Sequence, residues 1–213
     1  PENIAFMEEI RSLMDQYPGV VTLGEISSED SLHTMAEYTQ GDKRLHMAYS
    51  FELLTPDGSP KYIRNTVEAL EGKLADGWPC WAIGNHDVTR VATRWAQAET
   101  ISQQSKMFNA LLASLRGSVC TYQGEELGLT EADINFADLQ DPYGVTFWPT
   151  FKGRDGCRTP MPWQKNEINA GFSESQTPWL PVGSAHANDA VDLQEQASDS
   201  VLAAYRTFLG WRK

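Results

Sequence analysis

Basic residues are scarce: 17 Lys and Arg stand against 29 Asp and Glu, a net charge of −12 at pH 7. That balance argues against nucleic acid and against anionic membrane surfaces, both of which attract basic patches. No apolar run approaches the roughly 20 residues of a membrane span, and no signal peptide is visible. Cysteine is rare and odd in number. Cys80, Cys120 and Cys157 lack metal-type spacing, and the first two lie at strand positions, where they read as small buried hydrophobes. A reducing, cytoplasmic setting is the simpler expectation. Neither a Gly-rich phosphate loop nor a His/Cys metal cluster occurs, so no metal and no cofactor are expected. His33, His46 and His186 lack a carboxylate-rich partner motif and read as structural or surface residues. Hydrophobic residues at 41% and charged residues at 22% fit a soluble enzyme domain.

What is present is concentrated at strand ends. Cys80-Trp81-Ala82-Ile83 is the continuous apolar run of a strand buried on both faces. It stops on Gly84-Asn85-His86-Asp87-Val88-Thr89-Arg90, a cluster of hydrogen-bonding and charged groups at the strand's carboxyl end, where α/β folds build active sites. The pattern recurs: Gly19 to Ile26 is strand-like and ends in a carboxylate, Glu25. Before it, Ile4, Met7, Ile10, Met14 and Tyr17 follow one face of a helix over 3–17, which Pro18-Gly19 stops. Glu25 and Asp87 are therefore expected at the same end of two strands of one sheet. Paired carboxylates on a concave rim suit acid–base work on a glycosidic bond, because neighbouring carboxyls shift each other's pKa values.

Four strands are expected, at Val20–Gly24, Leu45–Ser50, Trp81–Gly84 and Ser118–Tyr122. Helical faces lie between them: Ile63, Val67, Leu70 and Leu74; then Met107, Phe108, Leu111, Leu112 and Leu115. Val201, Leu202, Tyr205, Phe208 and Leu209 form a last one. The alternation predicts a parallel sheet with right-handed crossovers. Asp57-Gly58-Ser59-Pro60 is a turn before a helix. Thr130 to Val191 shows no sustained periodicity, and a loop of that length is usually functional. Its Trp148, Trp163 and Trp179 suit either stacking on sugar rings or anchoring of the loop.

Leu23-Gly24-Glu25-Ile26, Ile83-Gly84-Asn85-His86-Asp87 and Tyr122-Gln123-Gly124-Glu125-Glu126-Leu127-Gly128 together resemble the α-amylase superfamily, glycoside hydrolase family thirteen. Gly153-Arg154-Asp155-Gly156-Cys157-Arg158-Thr159-Pro160-Met161-Pro162-Trp163 resembles its α-glucosidase and oligo-1,6-glucosidase branch. The likeness runs over residues 1–213 as one domain, with an active-site loop at about 130–191.

The resemblance implies a (β/α)8 barrel that cleaves α-glucosidic bonds with retention through a covalent intermediate. Glu25 matches the general acid/base, and Asp87 the carboxylate that stabilises the transition state. His86 matches a sugar-binding histidine, while Arg154 and Asp155 fall in the loop that contacts the terminal glucose. Asn85 and Arg90 are expected to support these groups, Arg90 by bracing Asp87. Glu125 and Glu126 are expected to hold loops by hydrogen bonds. Tyr49, Phe51 and Glu52 are expected either to line the pocket or, more simply, to pack.

The family's nucleophile, an Asp in a Gly-Phe-Arg-Leu-Asp-like strand, has no counterpart here, nor has its Asp-x-x-x-Asn-His block. A whole barrel needs roughly 250 residues, against 213. The expectation is the C-terminal half of a TIM barrel, about four βα units, inactive alone. Its open strand edges invite either the missing N-terminal half-barrel or self-dimerisation. A non-catalytic sugar-binding or assembly module is the alternative.

Overall fold

A computed structural model describes residues 2–213. The elements alternate as expected. Helix α1 (Glu2–Met14) precedes β1 (Leu23–Ile26), α2 (Ser31–Thr39), β2 (Met47–Ser50), α3 (Pro60–Leu74) and β3 (Cys80–Trp81). Then come α4 (Val91–Trp95), α5 (Ile101–Ser114), β4 (Ser118–Val119), α6 (Pro142–Phe147), α7 (Val191–Gln196) and α8 (Val201–Arg212). Two compact units result. The first comprises the residues up to Ala82 with Leu115–Cys120, the second Ile83–Ser114 with Thr121–Lys213.

The first unit holds all four strands of the described residues, and each of their pairings is parallel. Leu23 to Ile26 run beside Met47 to Ser50, and Cys80-Trp81 beside Ser118-Val119. A bridge between Ala48 and Pro79 links the two pairs. Helices α2 and α3 pack together, burying Met35, Leu70 and Leu74. Helix α3 starts as its sequence dictates: the Ser59 hydroxyl accepts from the Tyr62 N–H at 3.2 Å, and Pro60 takes the first turn, where no N–H partner is needed. Helix α2 escaped the periodicity reading; Asp30 caps it by accepting from the His33 N–H at 3.1 Å.

The strands are shorter than their apolar runs, for a local reason. Expected at Val20, β1 begins at Leu23 because the Thr22 N–H donates to His46 Nδ1 at 3.1 Å, leaving Val20 and Val21 exposed. Expected to run to Gly84, β3 ends at Trp81. Beyond it the Ile83 carbonyl accepts from the Arg94 guanidinium instead of a strand. Side chains take the ladder positions that the apolar pattern assigned to backbone.

In the second unit α5 packs on α8. Leu127, Leu129, Met161 and Leu202 form one buried cluster, joined by Val191. The 130–191 segment, expected to lack structure, contains α6 and four short 3-10 turns. Ile134, Leu139 and Leu180 give it a core of its own, with Trp148 packed against them. Trp148 is thus an anchor, whereas Trp163 and Trp179 are exposed. His186, fully buried, closes the segment: Nε2 lies 2.8 Å from the Thr130 carbonyl and Nδ1 3.4 Å from the Thr159 hydroxyl.

Burial lowers the His186 pKa below its ordinary 6.5 by disfavouring the charged ring. The folded state thus takes up the proton less readily than the unfolded one. Its contribution to stability is present above about pH 6.5 and lost as pH falls through the lowered value. Urea unfolding between pH 7 and pH 5 is expected to show a shallower acid-side decline in His186→Gln than in the parent. Equal slopes would remove His186 from the acid sensitivity.

Candidate active site

Glu25 belongs to the first unit. It is exposed on β1, next to the buried Ile26, and its register partner on β2 is Tyr49. The Tyr49 hydroxyl donates to Glu25 Oε2. Tyr49, for which packing was the simpler of two expectations, therefore orients this carboxylate.

The second unit gathers the other candidates. Asn85 Oδ1 accepts from the Asp87 N–H at 2.9 Å, an Asx turn that bends the chain after Gly84. A Cβ on Gly84 would lie 2.2 Å from Glu125 Oε1, so any larger residue there would push that buried carboxyl aside. The turn leaves Asp87 with a third of its side chain exposed. Arg154 Nη1 donates to Asp87 Oδ1 at 3.0 Å, and Arg158 Nη2 donates to the same oxygen at 2.8 Å. Oδ2 accepts no hydrogen bond from any described residue. His86 is more exposed still, with Nε2 3.6 Å from Asp87 Oδ1. Its carbonyl accepts from Arg158 Nε at 2.7 Å.

Two expected placements change. Arg90 does not brace Asp87. Its buried guanidinium donates to the Gln123 carbonyl at 2.6 Å and the Cys157 carbonyl at 3.0 Å, and it lies over the Tyr122 ring. A cation so deep is retained for the carbonyls it satisfies, tying the Tyr122–Gly128 turn to the loop after Arg154. Asp155 lies beneath the cluster, wholly buried. Its Oδ2 accepts from the Gln140 and Asp141 N–H groups at 2.6 and 2.8 Å.

Two participants were not picked out beforehand. Arg158 stands in the same block as Arg154, and a second guanidinium four residues on was the available signal. Asp141 lies outside every block. Asp141-Pro142 reads as an ordinary helix start, and Asp141 does cap α6, accepting from the Tyr143 N–H at 3.2 Å. Its second task, accepting from Arg154, has no sequence signature. Those bonds hold the Asp141 carboxyl well below the usual carboxylate range.

Glu125 is the other unusual group. Oε2 accepts from the Tyr122 N–H at 3.0 Å, whereas Oε1 is buried without a described partner. Desolvation pushes its carboxyl up to about 8, so it is largely protonated at neutral pH. It holds its turn, as expected, in neutral form.

The arrangement can bind hydroxyls. A carboxylate pinned by two guanidiniums beside an exposed imidazole offers both acceptors and donors to a polyol. A family model described as the alpha-amylase catalytic domain matches residues 1–213. A probable alpha-glucosidase of Rhizobium meliloti (strain 1021) is 47% identical over 216 residues, covering 100% of this chain and 39% of the relative. An oligo-1,6-glucosidase of Heyndrickxia coagulans is 31% identical over 248 residues, covering 100% of this chain and 44% of the relative. The crystal structure of an alpha-glucosyl transfer enzyme, XgtA, superposes with a TM-score of 0.93 at 60% identity, over 100% of this chain and 39% of that one. The chain thus spans about two-fifths of the length of the relatives it matches.

Proposed function

Because the chain belongs to the alpha-amylase catalytic-domain family, we propose that it forms the acid/base-bearing half of a retaining α-glucosidase barrel that removes terminal α-linked glucose from oligosaccharides. The observation that carries this reading is Asp87 Oδ1 held by Arg154 and Arg158 while Oδ2 accepts from no described residue. A carboxylate fixed in this way keeps its aim. It can accept hydrogen bonds from two vicinal sugar hydroxyls and stabilise positive charge developing at the anomeric carbon. His86 and Arg154 add contacts to the same sugar, with Asn85 and Asp155 supporting the loops that carry them.

Glu25 protonates the departing glycosidic oxygen, oriented by the Tyr49 hydroxyl. The group that attacks the anomeric carbon must be a second carboxylate about 5–5.5 Å from it in a retaining enzyme. No segment of this chain resembles the family's nucleophile strand, so the complementary half of the barrel supplies it. Turnover therefore requires both halves. Glu25, now ionised, activates the acceptor in the second step. Water yields hydrolysis and a sugar hydroxyl yields transfer, consistent with relatives named for each outcome.

The test is hydrolysis of a chromogenic α-glucoside by the complete protein, with Asp87→Asn beside it. The variant is expected to lose about 10²–10³-fold in kcat. Unchanged turnover would remove Asp87 from the mechanism.

A further inference from the structure

Arginine is a poor ruler. Its long, flexible side chain reaches a carboxylate in many conformations, and holding one of them costs rotamer entropy. Yet Arg154 is restrained on every side. Nε donates to Asp141 Oδ2 and Nη2 to Asp141 Oδ1, both at 2.9 Å, the two parallel bonds of a bidentate pair. The backbone N–H of Arg154 donates to the same Oδ2 at 2.8 Å. The Tyr143 ring lies 5.3 Å from the guanidinium carbon. Only Nη1 is left to point elsewhere, and it points at Asp87.

Asp141 is itself immobilised. It is 2% exposed, and its own N–H and that of Gln140 are gripped by Asp155. The approach is so close that a Cβ on Gly153, already at φ +79°, would stand 3.0 Å from Asp141 Oδ2 and 2.9 Å from the Gly144 nitrogen. Two carboxylates sealed from solvent are spent on aiming one guanidinium. Capping the six-residue α6 needs only one oxygen of one of them.

We propose that Asp141 is a positioning residue: seated on Asp155, it clamps Arg154 in the single conformation that sets the direction of Asp87 Oδ2 toward the sugar. The inference rests on the reading of Asp87 given above. Asp141 touches no substrate. It acts through Arg154, so its effect exists only while the guanidinium is there to be aimed.

The experiment measures kcat and KM of the complete protein on a chromogenic α-glucoside for Asp141→Asn, Arg154→Met, the double variant and Asp87→Asn. Thermal melting of each runs alongside. A small misplacement near reacting groups can cost about 10²-fold. Asp141→Asn is expected to lower kcat by about 10–100-fold in the parent, and by less than about 3-fold on the Arg154→Met background. Should Asp141→Asn not accumulate as folded protein, Asp141→Glu, which keeps the charge and shifts it by one methylene, reads the same two ratios. Unchanged kcat in Asp141→Asn beside a crippled Asp87→Asn overturns this inference alone. A full loss repeated on the Arg154→Met background also overturns it, because a merely structural role adds whether or not Arg154 is present. An unchanged Asp87→Asn overturns the functional reading and this one together.

Discussion

In the complete protein, Glu25→Gln is expected to lower kcat by about 10²–10⁴-fold on a glucoside with a poor leaving group, the range that positioned proton transfer supplies. Glutamine keeps the shape of the side chain and an oxygen that can accept from the Tyr49 hydroxyl, the bond that orients Glu25 on β1. What it loses is the proton. An alkoxide leaving group of high pKa cannot depart unprotonated, so bond cleavage suffers in full. A nitrophenolate can, so with a nitrophenyl glucoside the first step is expected to be nearly spared. The second step, in which Glu25 must take a proton from water, then limits turnover and an initial burst of phenolate appears. Parallel kinetics with an alkyl and a nitrophenyl glucoside check this. Full turnover of the alkyl glucoside by Glu25→Gln would assign the acid to another group.

Stability against pH carries the second large effect. Glu125 has a folded value of about 8 against an ordinary 4.5. Folding therefore takes up a proton between those limits. The contribution is fully present below about pH 4.5 and is lost as pH rises through about 8, at roughly 1.4 kcal/mol per pH unit inside that window. Glu125→Gln is neutral at every pH and nearly the same size. It is expected to unfold with a flatter dependence from pH 5 to pH 8 and to exceed the parent in stability at the alkaline end. Glu131, whose carboxyl burial also raises, is common to both proteins and cancels in the difference, whereas Glu126 interacts directly with Glu125 and cancels only in part. Urea midpoints at four pH values decide it. A difference that stays constant with pH would mean that Glu125 is already ionised in the folded protein, with Arg90 and Arg94 compensating it.

Much of this could be read beforehand, though unevenly. The β/α alternation follows from period and residue type over windows of about ten residues, and Glu25 lies in β1 as expected. Asp87, however, lies six residues beyond β3, and Met107 and Phe208 of the expected α5 and α8 faces are exposed. Strand limits did not follow. His46 and Arg94 intervene from 24 and 11 residues away, and an apolar run carries no record of which partner will claim its backbone. The 130–191 segment failed for the same reason. Its order comes from buried side chains such as Asp155, Leu180 and His186, which need no repeating pattern.

By itself the sequence determined the family and the parallel α/β class and offered two candidate carboxylates, because each is written in short contiguous blocks. Tertiary structure decided what those carboxylates lean on: Tyr49 for Glu25, and for Asp87 two guanidiniums 67 and 71 residues further along. It also moved Arg90 and Asp155 off the site and brought Asp141 behind Arg154. Ion pairs and hydrogen bonds depend on separations of about 3 Å through space. A local reading can name the groups able to form them, but only the folded chain sets which of those groups meet.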